Sequence, residues 1–245
     1  MNKTAIIIPS RLDAQRLPNK PLKLINNKEM ILHVYDAAKR SESGEVYVAS
    51  PDQKIIDKVI SYGGNAILTD QNHQTGTDRV FEIFKKTLNE FPKIIINLQG
   101  DMPNIKPDSI KQLANYMWLG KCEIATLAST LKDDEAYDQN VVKVYTKEKI
   151  KNLSFVAALD FDRKITTGQN NLAYHHIGIY GFTKEALIKY VNLKRSKLEL
   201  ARGLEQMRAF ENDMRIHVGF VSSKPLSVDT EKDLEEVKKV MKTNE

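Results

Sequence analysis

The sequence predicts a doubly wound α/β fold built on a mostly parallel sheet. Three short runs of apolar, largely β-branched residues have the length of buried strands, namely Ala5–Ile8, Val46–Ala49 and Ile94–Leu98. Their hydrophobicity is continuous rather than alternating, which is typical of parallel strands that are covered on both faces. Helical patterns separate these runs, and strands alternating with helices indicate βαβ units with right-handed crossovers.

Three helices are predicted beside these strands. The segment Glu29–Arg40 places its apolar residues on one side at helical spacing. Asp52–Tyr62 follows a proline and is closed by two glycines, which are a start signal and a stop signal for a helix. Asp78–Glu90 repeats the helical spacing of apolar residues, so the first half of the chain has the rhythm of a parallel α/β sheet.

From about Glu123 the pattern changes to one richer in strands. The interval Lys147–Asn171 is mixed and ends in a turn-rich stretch, Leu198–Glu211 has a helical pattern, and Asp229 is expected to cap a last helix. We therefore expect one domain over residues 1–245, with an extension of strands and a helix within about residues 123–215. The strands predicted in this half are Ile124–Leu127, Val141–Tyr145, Ile177–Phe182 and Ile216–Phe220.

The composition excludes several classes of protein. With 245 residues, 41% hydrophobic and 28% charged, the chain can bury a core and is neither disordered nor collagen-like. Cys122 is the single cysteine, so an intrachain disulfide and a multi-thiolate zinc site are excluded. No apolar run approaches the ~20 residues of a membrane span, and no signal-peptide core is evident. We therefore expect a cytoplasmic protein without membrane partners.

The formal net charge of +5 favours small anionic substrates. The 37 basic residues are interspersed with 32 acidic ones, and they are not clustered with aromatic residues as in nucleic-acid-binding surfaces. The sequence therefore predicts no nucleic-acid partner.

A basic loop follows the first predicted strand. Arg11, Arg16 and Lys20 lie within ten residues of one another, and Pro18 and Pro21 stiffen the loop. Ligands of open α/β sheets bind at the carboxyl ends of the strands, and these cations suit phosphate oxygens. A polyphosphate is the expected ligand, and the alternative is a solvated basic loop. The loop has neither a dinucleotide-binding glycine pattern nor a Walker pattern.

Two aspartates are candidate metal ligands. Asp101 follows the strand Ile94–Leu98, and Asp229 follows a short strand-like segment. Facing a polyphosphate, the pair would suit Mg²⁺, which takes one or two carboxylates and completes its shell with phosphate and water oxygens. The alternatives are a turn position for Asp101 and a helix N-cap for Asp229.

Two further segments each allow a functional and a structural interpretation. The small, hydroxyl-rich loop Thr75–Thr77 could hydrogen-bond a base or ribose, or Thr77 could cap the following helix. His175 and His176 lack metal-ligand spacing, so one of them binds a substrate carboxylate or hydroxyl, or both are packed structurally.

The segments IPSR, RLPNKPL, TGTDR, LQGDMP, HHIGIYGF, LEQMR and VDTEKDL occur in this order between Ile6 and about Val237. Together they resemble the family of 3-deoxy-manno-octulosonate (Kdo) cytidylyltransferases, the CMP-Kdo synthetases. The resemblance implies a nucleotide-diphospho-sugar transferase-like α/β fold with a strand-and-helix dimerisation arm. It also implies Mg²⁺-dependent transfer of CMP from CTP to the anomeric hydroxyl of Kdo with release of pyrophosphate. The implied context is lipopolysaccharide core synthesis by a cytoplasmic homodimer in a Gram-negative bacterium.

The resemblance assigns roles to the residues at matching positions. It implies that Arg11, Lys20, Asp101 and Asp229 act in catalysis, and that Asp101 and Asp229 bind the metal. The implied sugar-acid residues are His176, Tyr180, Glu205 and Gln206. The implied CTP-binding residues are Pro9, Ser10, Arg11, Arg16, Lys20, Ala49, Gly76, Thr77 and Gln99.

Two positions depart from the family pattern. Phe155 replaces the arginine of an SRxxIP segment, and Arg202 stands where a glutamate is expected. We interpret the pair as a rebuilt sugar pocket or arm. The sugar acid is therefore left open between Kdo, 8-amino-Kdo and a sialic-acid-like nonulosonate, with a non-catalytic nucleotide-binding homologue as the other alternative. The number of metal ions is also left open.

Overall fold

The computed structural model describes residues 3–13, 16–165 and 172–242. A 3₁₀ turn covers Lys20–Leu22, and a π-helical turn covers Ile83–Thr87. The strands are β1 (Thr4–Pro9), β2 (Leu24–Ile25), β3 (Lys28–Glu29), β4 (Glu45–Ser50), β5 (Ala66–Leu68), β6 (Ile94–Leu98), β7 (Ile124–Ser129), β8 (Lys143–Thr146), β9 (Phe155–Asp162), β10 (Leu172–Thr183) and β11 (Ile216–Phe220). The helices are α1 (Met30–Arg40), α2 (Gln53–Ser61), α3 (Gly76–Glu82), α4 (Pro107–Trp118), α5 (Asp133–Ala136), α6 (Lys184–Asn192), α7 (Lys197–Arg202), α8 (Gln206–Phe210) and α9 (Glu231–Lys242).

The chain forms two compact units. The first comprises Met1–Lys111 and Pro225–Glu245, and the second comprises Gln112–Lys224. The expected single domain with an extension within about residues 123–215 stays a prediction. Among the described residues, no helix combines the length and the apolar character needed to cross a bilayer.

The first unit is built on four parallel strands in the order β5-β4-β1-β6. In the central strand β1, Ile6 lies opposite Val46 on one side and Ile96 on the other. Every residue of β1 and of β6 is buried, as the continuous hydrophobicity of both segments predicts. The α/β fold class and the parallel arrangement of this half are confirmed.

The predicted helices of the first unit are present, with small differences at their ends. The third one begins at Gly76, two residues earlier than predicted, and its last part is the π-helical turn rather than regular α-helix. The short edge strand β5 and the helix α4 were not predicted. Strand β5 has only three residues, which is too short for a clear hydrophobic pattern.

A hydrophobic cluster fixes the basic loop and the C-terminal helix within the first unit. Leu17 comes from the loop, and Val228 immediately precedes Asp229. Because both are buried in the same cluster, the chain segments that carry Lys20 and Asp229 have defined positions. The buried members are Leu17, Ile25, Met30, Val228, Leu234 and Val237.

The second unit is mainly antiparallel. β10 pairs antiparallel with β7 and β8, β9 pairs antiparallel with β8 and β11, and only β11 with β7 is parallel among these pairs. The strands predicted at Ile124–Leu127 and Ile216–Phe220 are confirmed, and Ile177–Phe182 is part of the longer β10. The mixed interval Lys147–Asn171 contains β9, and its turn-rich end, residues 166–171, lies outside the described residues.

The single helix predicted over Leu198–Glu211 is wrong. The segment forms two short helices, α7 and α8, because Gly203 adopts the left-handed conformation, with φ of 62°, and ends α7. A buried ion pair fastens the two helices to each other. Arg208 Nε lies 2.9 Å from Glu199 Oε2, and Arg208 Nη2 lies 2.8 Å from Glu199 Oε1.

We expect Arg208→Met to lower the free energy of unfolding by about 3–5 kcal/mol, because it removes the bidentate partner of the buried Glu199 carboxylate. Arg195 donates to the same carboxylate, but 41% of its side chain is exposed, so Arg195→Met should cost about 1 kcal/mol or less. Urea unfolding of both variants measures the difference. Equal losses would contradict the dominant role of the buried pair.

Candidate active site

The strand order of the first unit creates a crevice at the carboxyl ends of β1 and β6. The chain proceeds outward from β1 through β4 to β5 and then returns to β6 on the other side of β1. Ligands of open α/β sheets bind where the strand order reverses in this way. The loop that follows β1 carries the predicted phosphate-binding cations, the loop that follows β6 carries Asp101, and the segment before α9 carries Asp229.

Lys20 lies between the two predicted metal ligands. Its Nζ atom is 3.2 Å from Asp101 Oδ2 and 3.1 Å from Asp229 Oδ1. The main-chain N–H of Val228 donates to the carbonyl of Asp101 at 2.9 Å, which joins the two aspartate-bearing loops. Burial lowers the pKa of Lys20, but the two carboxylates outweigh this effect, and the pKa is raised above its usual value. Lys20 is therefore a fixed cation at neutral pH.

The two arginines of the basic loop are more exposed. Arg16 Nη2 lies 3.1 Å from Asp229 Oδ2, and 57% of the Arg16 side chain is exposed. Arg11 is exposed, and the main-chain N–H of Leu12 beside it donates to Asp52 Oδ2 at 2.8 Å. The structure thus brings Arg16 and Lys20 together with the carboxylates and leaves Arg11 on the same loop, open to solvent.

Asp229 does not cap the last helix, so the prediction that Asp229 is its N-cap is wrong. Thr230 and Asp233 cap the helix reciprocally. The Asp233 N–H donates to Thr230 Oγ1 at 3.3 Å, and the Thr230 N–H donates to Asp233 Oδ2 at 2.8 Å. The Asp229 carboxylate is consequently left to bind cations. The threonine-x-x-aspartate spacing is the sequence signal that identifies the capping residue.

The carboxylate pair suits a divalent cation. Asp101 and Asp229 already converge on one positive group, and their oxygens are the hard donors that Mg²⁺ prefers. Within residues 3–13, 16–165 and 172–242, no cluster of three or more His, Cys, Asp or Glu side chains could hold a metal. An ion held here would need further oxygens from a bound substrate or from water.

A second group of predicted residues lies beside Pro9. A Cβ atom at Gly76 would lie 3.4 Å from Pro9 Cγ and 3.6 Å from Gln99 Nε2. The absence of a side chain at Gly76 therefore leaves the space beside Pro9 and Gln99 unfilled by this residue. The buried Asn97 donates to Thr77 Oγ1 at 3.2 Å and accepts from Gln99 Nε2 at 3.0 Å. The structure therefore gathers Gly76, Thr77 and Gln99. Asn97 was not predicted, although a polar residue inside the apolar strand β6 is a usable signal.

Thr75, not Thr77, caps helix α3, so the capping alternative for Thr77 is wrong. Thr75 Oγ1 accepts from the Asp78 N–H at 3.2 Å and donates to Asp78 Oδ2 at 2.8 Å. Because Thr75 does the capping, the hydroxyl of Thr77 is turned to Asn97 instead.

Ser10 and Ala49 adjoin at the ends of β1 and β4. The Ser10 N–H donates to the Ala49 carbonyl at 2.9 Å. The Ser10 hydroxyl is buried and has no hydrogen-bond partner in the described part of the chain. Buried polar atoms are normally satisfied, so this hydroxyl indicates a polar ligand.

The residues predicted to bind the sugar acid all belong to the second unit. His176 and Tyr180 lie on β10, with ring centroids 5.4 Å apart, and Glu205 and Gln206 lie at the start of α8. Burial, and then the charge of Glu205, raise the pKa of Tyr180 well above its usual value. The Tyr180 hydroxyl and Gln206 Nε2 are both buried and without a partner among the described residues, which again indicates a polar ligand.

Both residues that depart from the family pattern have partners within the second unit. The Phe155 ring stacks on that of Tyr116, with centroids 3.7 Å apart and planes 4° apart. Arg202 donates to Asp160 Oδ1 at 2.5 Å and to the Phe161 carbonyl at 2.6 Å. These contacts favour structural roles for Phe155 and Arg202 over direct contact with a sugar acid.

A basic loop and a carboxylate pair at the reversal point of a parallel α/β sheet form an arrangement that suits a nucleotidyltransferase, and the comparisons with known proteins show that class. A solved structure described as CMP:2-keto-3-deoxy-manno-octonic acid synthetase complexed with CTP has the same fold. Its TM-score is 0.87 over 99% of both chains, with 34% sequence identity. Residues 5–216 match the family model described as cytidylyltransferase, and the chain belongs to this family of enzymes.

Two curated relatives are similar over nearly the whole chain, and both are described as 3-deoxy-manno-octulosonate cytidylyltransferase. The protein of Thermodesulfovibrio yellowstonii is 41% identical, and that of Bartonella quintana is 40% identical, each over 98% of both chains. The resemblance seen in the sequence motifs is confirmed. The dimerisation arm stays a prediction.

We expect Thr230→Val to lower the free energy of unfolding by about 1 kcal/mol, because it removes the oxygen that accepts from the Asp233 N–H. Asp229→Asn should change it by less, since the Asp229 side chain does not cap the helix. Thermal or urea unfolding of the two variants compares them. A larger loss for Asp229→Asn would restore Asp229 as the capping residue.

Proposed function

We propose that the chain transfers CMP from CTP to the anomeric hydroxyl of Kdo, giving CMP-Kdo and pyrophosphate. The convergence of Lys20, Asp101 and Asp229 at the crevice between β1 and β6 carries this proposal. The names of the two relatives, at 41% and 40% identity, support the choice of substrates. Pyrophosphate release from CTP in the presence of Kdo is the direct test.

The basic loop holds the leaving phosphates. Lys20 uses two of its three N–H donors on Asp101 and Asp229, so one remains for a phosphate oxygen. Arg16 and Arg11 add planar guanidinium groups that match phosphate geometry. Nucleotidyl transfer depends on positioning and charge neutralisation more than on covalent catalysis, and this loop provides both.

Asp101 and Asp229 would hold Mg²⁺. When bound, the ion neutralises charge on the phosphate oxygens and lowers the pKa of the attacking hydroxyl. The two carboxylates also fix the Lys20 ammonium beside the place where the phosphates bind. The anomeric hydroxyl attacks the α-phosphorus in line, and Lys20 and Arg16 stabilise the departing pyrophosphate.

Gln99 supports a preference for cytosine. Because its Nε2 atom donates to Asn97 Oδ1 at 3.0 Å, the amide is oriented within the site. The side-chain oxygen of Gln99, Oε1, is an acceptor. It suits the exocyclic amino group of cytosine and disfavours the carbonyl that uracil has at the same position.

The sugar acid binds to the residues of the second unit. The buried Tyr180 hydroxyl and Gln206 Nε2 offer hydrogen bonds to its hydroxyls or carboxylate, and Glu205 adds an acceptor. Rates of pyrophosphate release with Kdo, 8-amino-Kdo and a nonulosonate separate the proposed acceptor from the alternatives. Turnover with none of them would favour a non-catalytic homologue.

The remaining expectations belong to the same proposal. They are cytoplasmic localisation, a role in lipopolysaccharide core synthesis and a homodimer formed through the second unit. The exposed side chains of Leu159, Leu172 and Leu200 in that unit support a buried interface with a second copy. Sedimentation equilibrium of the purified protein measures the oligomeric state.

Asp101→Asn and Asp229→Asn should each lower kcat/KM by about 100-fold or more, because the amide keeps the shape but removes an anionic oxygen that Mg²⁺ prefers. Asp36→Asn is the matched control, since Asp36 is also an aspartate ion-paired with a lysine, Lys28, in the same unit. Its activity should change less than about twofold. Near-normal turnover of either site variant at ordinary Mg²⁺ concentrations would remove that aspartate from the metal site.

Lys20→Ala should raise the KM for CTP about tenfold or more and slow the transfer, while the preference for CTP over UTP persists. Lys23→Ala is the control from the same loop, because Lys23 lies 3.6 Å from Glu231 and contacts neither aspartate of the site. Since the pKa of Lys20 is raised, the group stays protonated below its usual pKa, and the effect should be equal at about pH 6 and pH 9. A CTP dependence unchanged by Lys20→Ala would make the loop a solvated surface.

A further inference from the structure

A bulge in strand β10 brings Thr126 of β7 against its backbone. Ile177 lies opposite Leu127 and Tyr180 lies opposite Thr126, so the two residues between Ile177 and Tyr180 have no counterpart on β7. Such a bulge takes backbone groups out of the regular ladder of hydrogen bonds. The hydroxyl of Thr126 lies at these groups, 2.7 Å from the Ile179 carbonyl oxygen and 3.2 Å from the Ile177 carbonyl oxygen.

The same hydroxyl contacts the imidazole of His176, with Thr126 Oγ1 2.9 Å from His176 Nε2. A hydroxyl has one proton, and a main-chain carbonyl can only accept. An oxygen–oxygen distance of 2.7 Å requires a hydrogen bond, so the Thr126 hydroxyl donates its proton to the Ile179 carbonyl oxygen. His176 must therefore donate from Nε2 to Thr126 Oγ1.

The imidazole of His176 is also neutral. It is 8% exposed, and its ring packs perpendicular to the Phe161 ring with centroids 5.2 Å apart. Burial, and then the neighbouring His175, lower the pKa of His176 to about 3. With its one proton on Nε2, the ring presents Nδ1 as an acceptor, and Nδ1 has no hydrogen-bond partner in the described part of the chain.

We propose that Thr126 is a positioning residue that holds His176 as the neutral Nε2–H tautomer, so that Nδ1 accepts a hydrogen bond from a hydroxyl of the sugar acid. The identity of the ligand rests on the proposed function, whereas the tautomer does not. A neutral acceptor repels a carboxylate oxygen and attracts a hydroxyl proton. His176 therefore recognises a hydroxyl, and the carboxylate of the sugar acid is bound by other groups.

The tautomer can be measured directly in the unaltered protein. Long-range ¹H–¹⁵N correlation spectra of ¹⁵N-histidine-labelled protein at neutral pH distinguish a protonated ring nitrogen from an unprotonated one. The His176 signals are identified by their loss in His176→Gln. We expect Nε2 to be protonated and Nδ1 to be unprotonated. A proton on Nδ1, or on both nitrogens, would overturn the proposal without any substitution at Thr126.

Substitution of Thr126 tests the positioning role. Thr126→Val keeps the shape and removes the acceptor, so we expect the Nδ1–H tautomer to become populated and the KM for the sugar acid to rise about tenfold, with the KM for CTP unchanged. Thr126→Ser keeps the hydroxyl and should restore both values. Thr146→Val is the control, because Thr146 is equally buried in this unit and its hydroxyl donates to the Glu148 carbonyl at 2.8 Å, away from His176.

The two readouts separate this proposal from the proposed function. If Kdo is turned over but Thr126→Val changes neither the tautomer nor the KM for the sugar acid, the role of Thr126 is wrong. If no ulosonic acid is turned over, the proposed function is wrong, and the ¹⁵N spectra still decide the tautomer of His176.

Discussion

The ammonium group of Lys20, held between Asp101 and Asp229, is the interaction on which the first unit's site depends. It joins three segments of the chain, since Asp101 lies 81 residues and Asp229 lies 209 residues beyond Lys20 in the sequence. The hydrophobic cluster containing Leu17 and Val228 sets two of these segments in place, and the strand β6 sets the third. Electrostatic attraction alone would not fix this geometry, because the ion pairs are only partly buried and a charge attracts its partner from many directions. The packed cluster makes the ion pairs specific.

The sequence predicted the elements whose signals are local. Continuous apolar runs identified β1 and β6, and the spacing of cations and aspartates identified Lys20, Asp101 and Asp229 before any contact was known. The strand predictions succeeded because buried parallel strands must be apolar along their whole length. Lys20, Asp101 and Asp229 were selected because ligands collect at the carboxyl ends of such strands, and their roles in binding stay predictions. The motifs of the family then gave the residues of the second unit their expected roles.

The features that the sequence analysis predicted wrongly or missed depend on tertiary contacts. The helix predicted over Leu198–Glu211 breaks at Gly203, because a buried salt bridge between Glu199 and Arg208 stabilises two short helices rather than one. The contact of Thr126 with His176 was also beyond sequence reasoning, because it depends on the register of β7 and β10 and on a bulge that no local pattern identifies. Cross-strand neighbours are known only once the register is known.

The charges around Lys20 have a consequence for what the site attracts. Lys20 and Arg16 face Asp101 and Asp229, so these four charges compensate one another before any ligand arrives, and Arg11 on the same loop adds one exposed cation. A site with so small an excess of positive charge exerts only a weak field on a free anion such as inorganic phosphate. An anion that arrives with its own divalent counterion finds carboxylates for the metal and cations for the phosphates at once. The crevice therefore attracts simple anions only weakly, and the proposed metal-bound polyphosphate would match both its carboxylates and its cations.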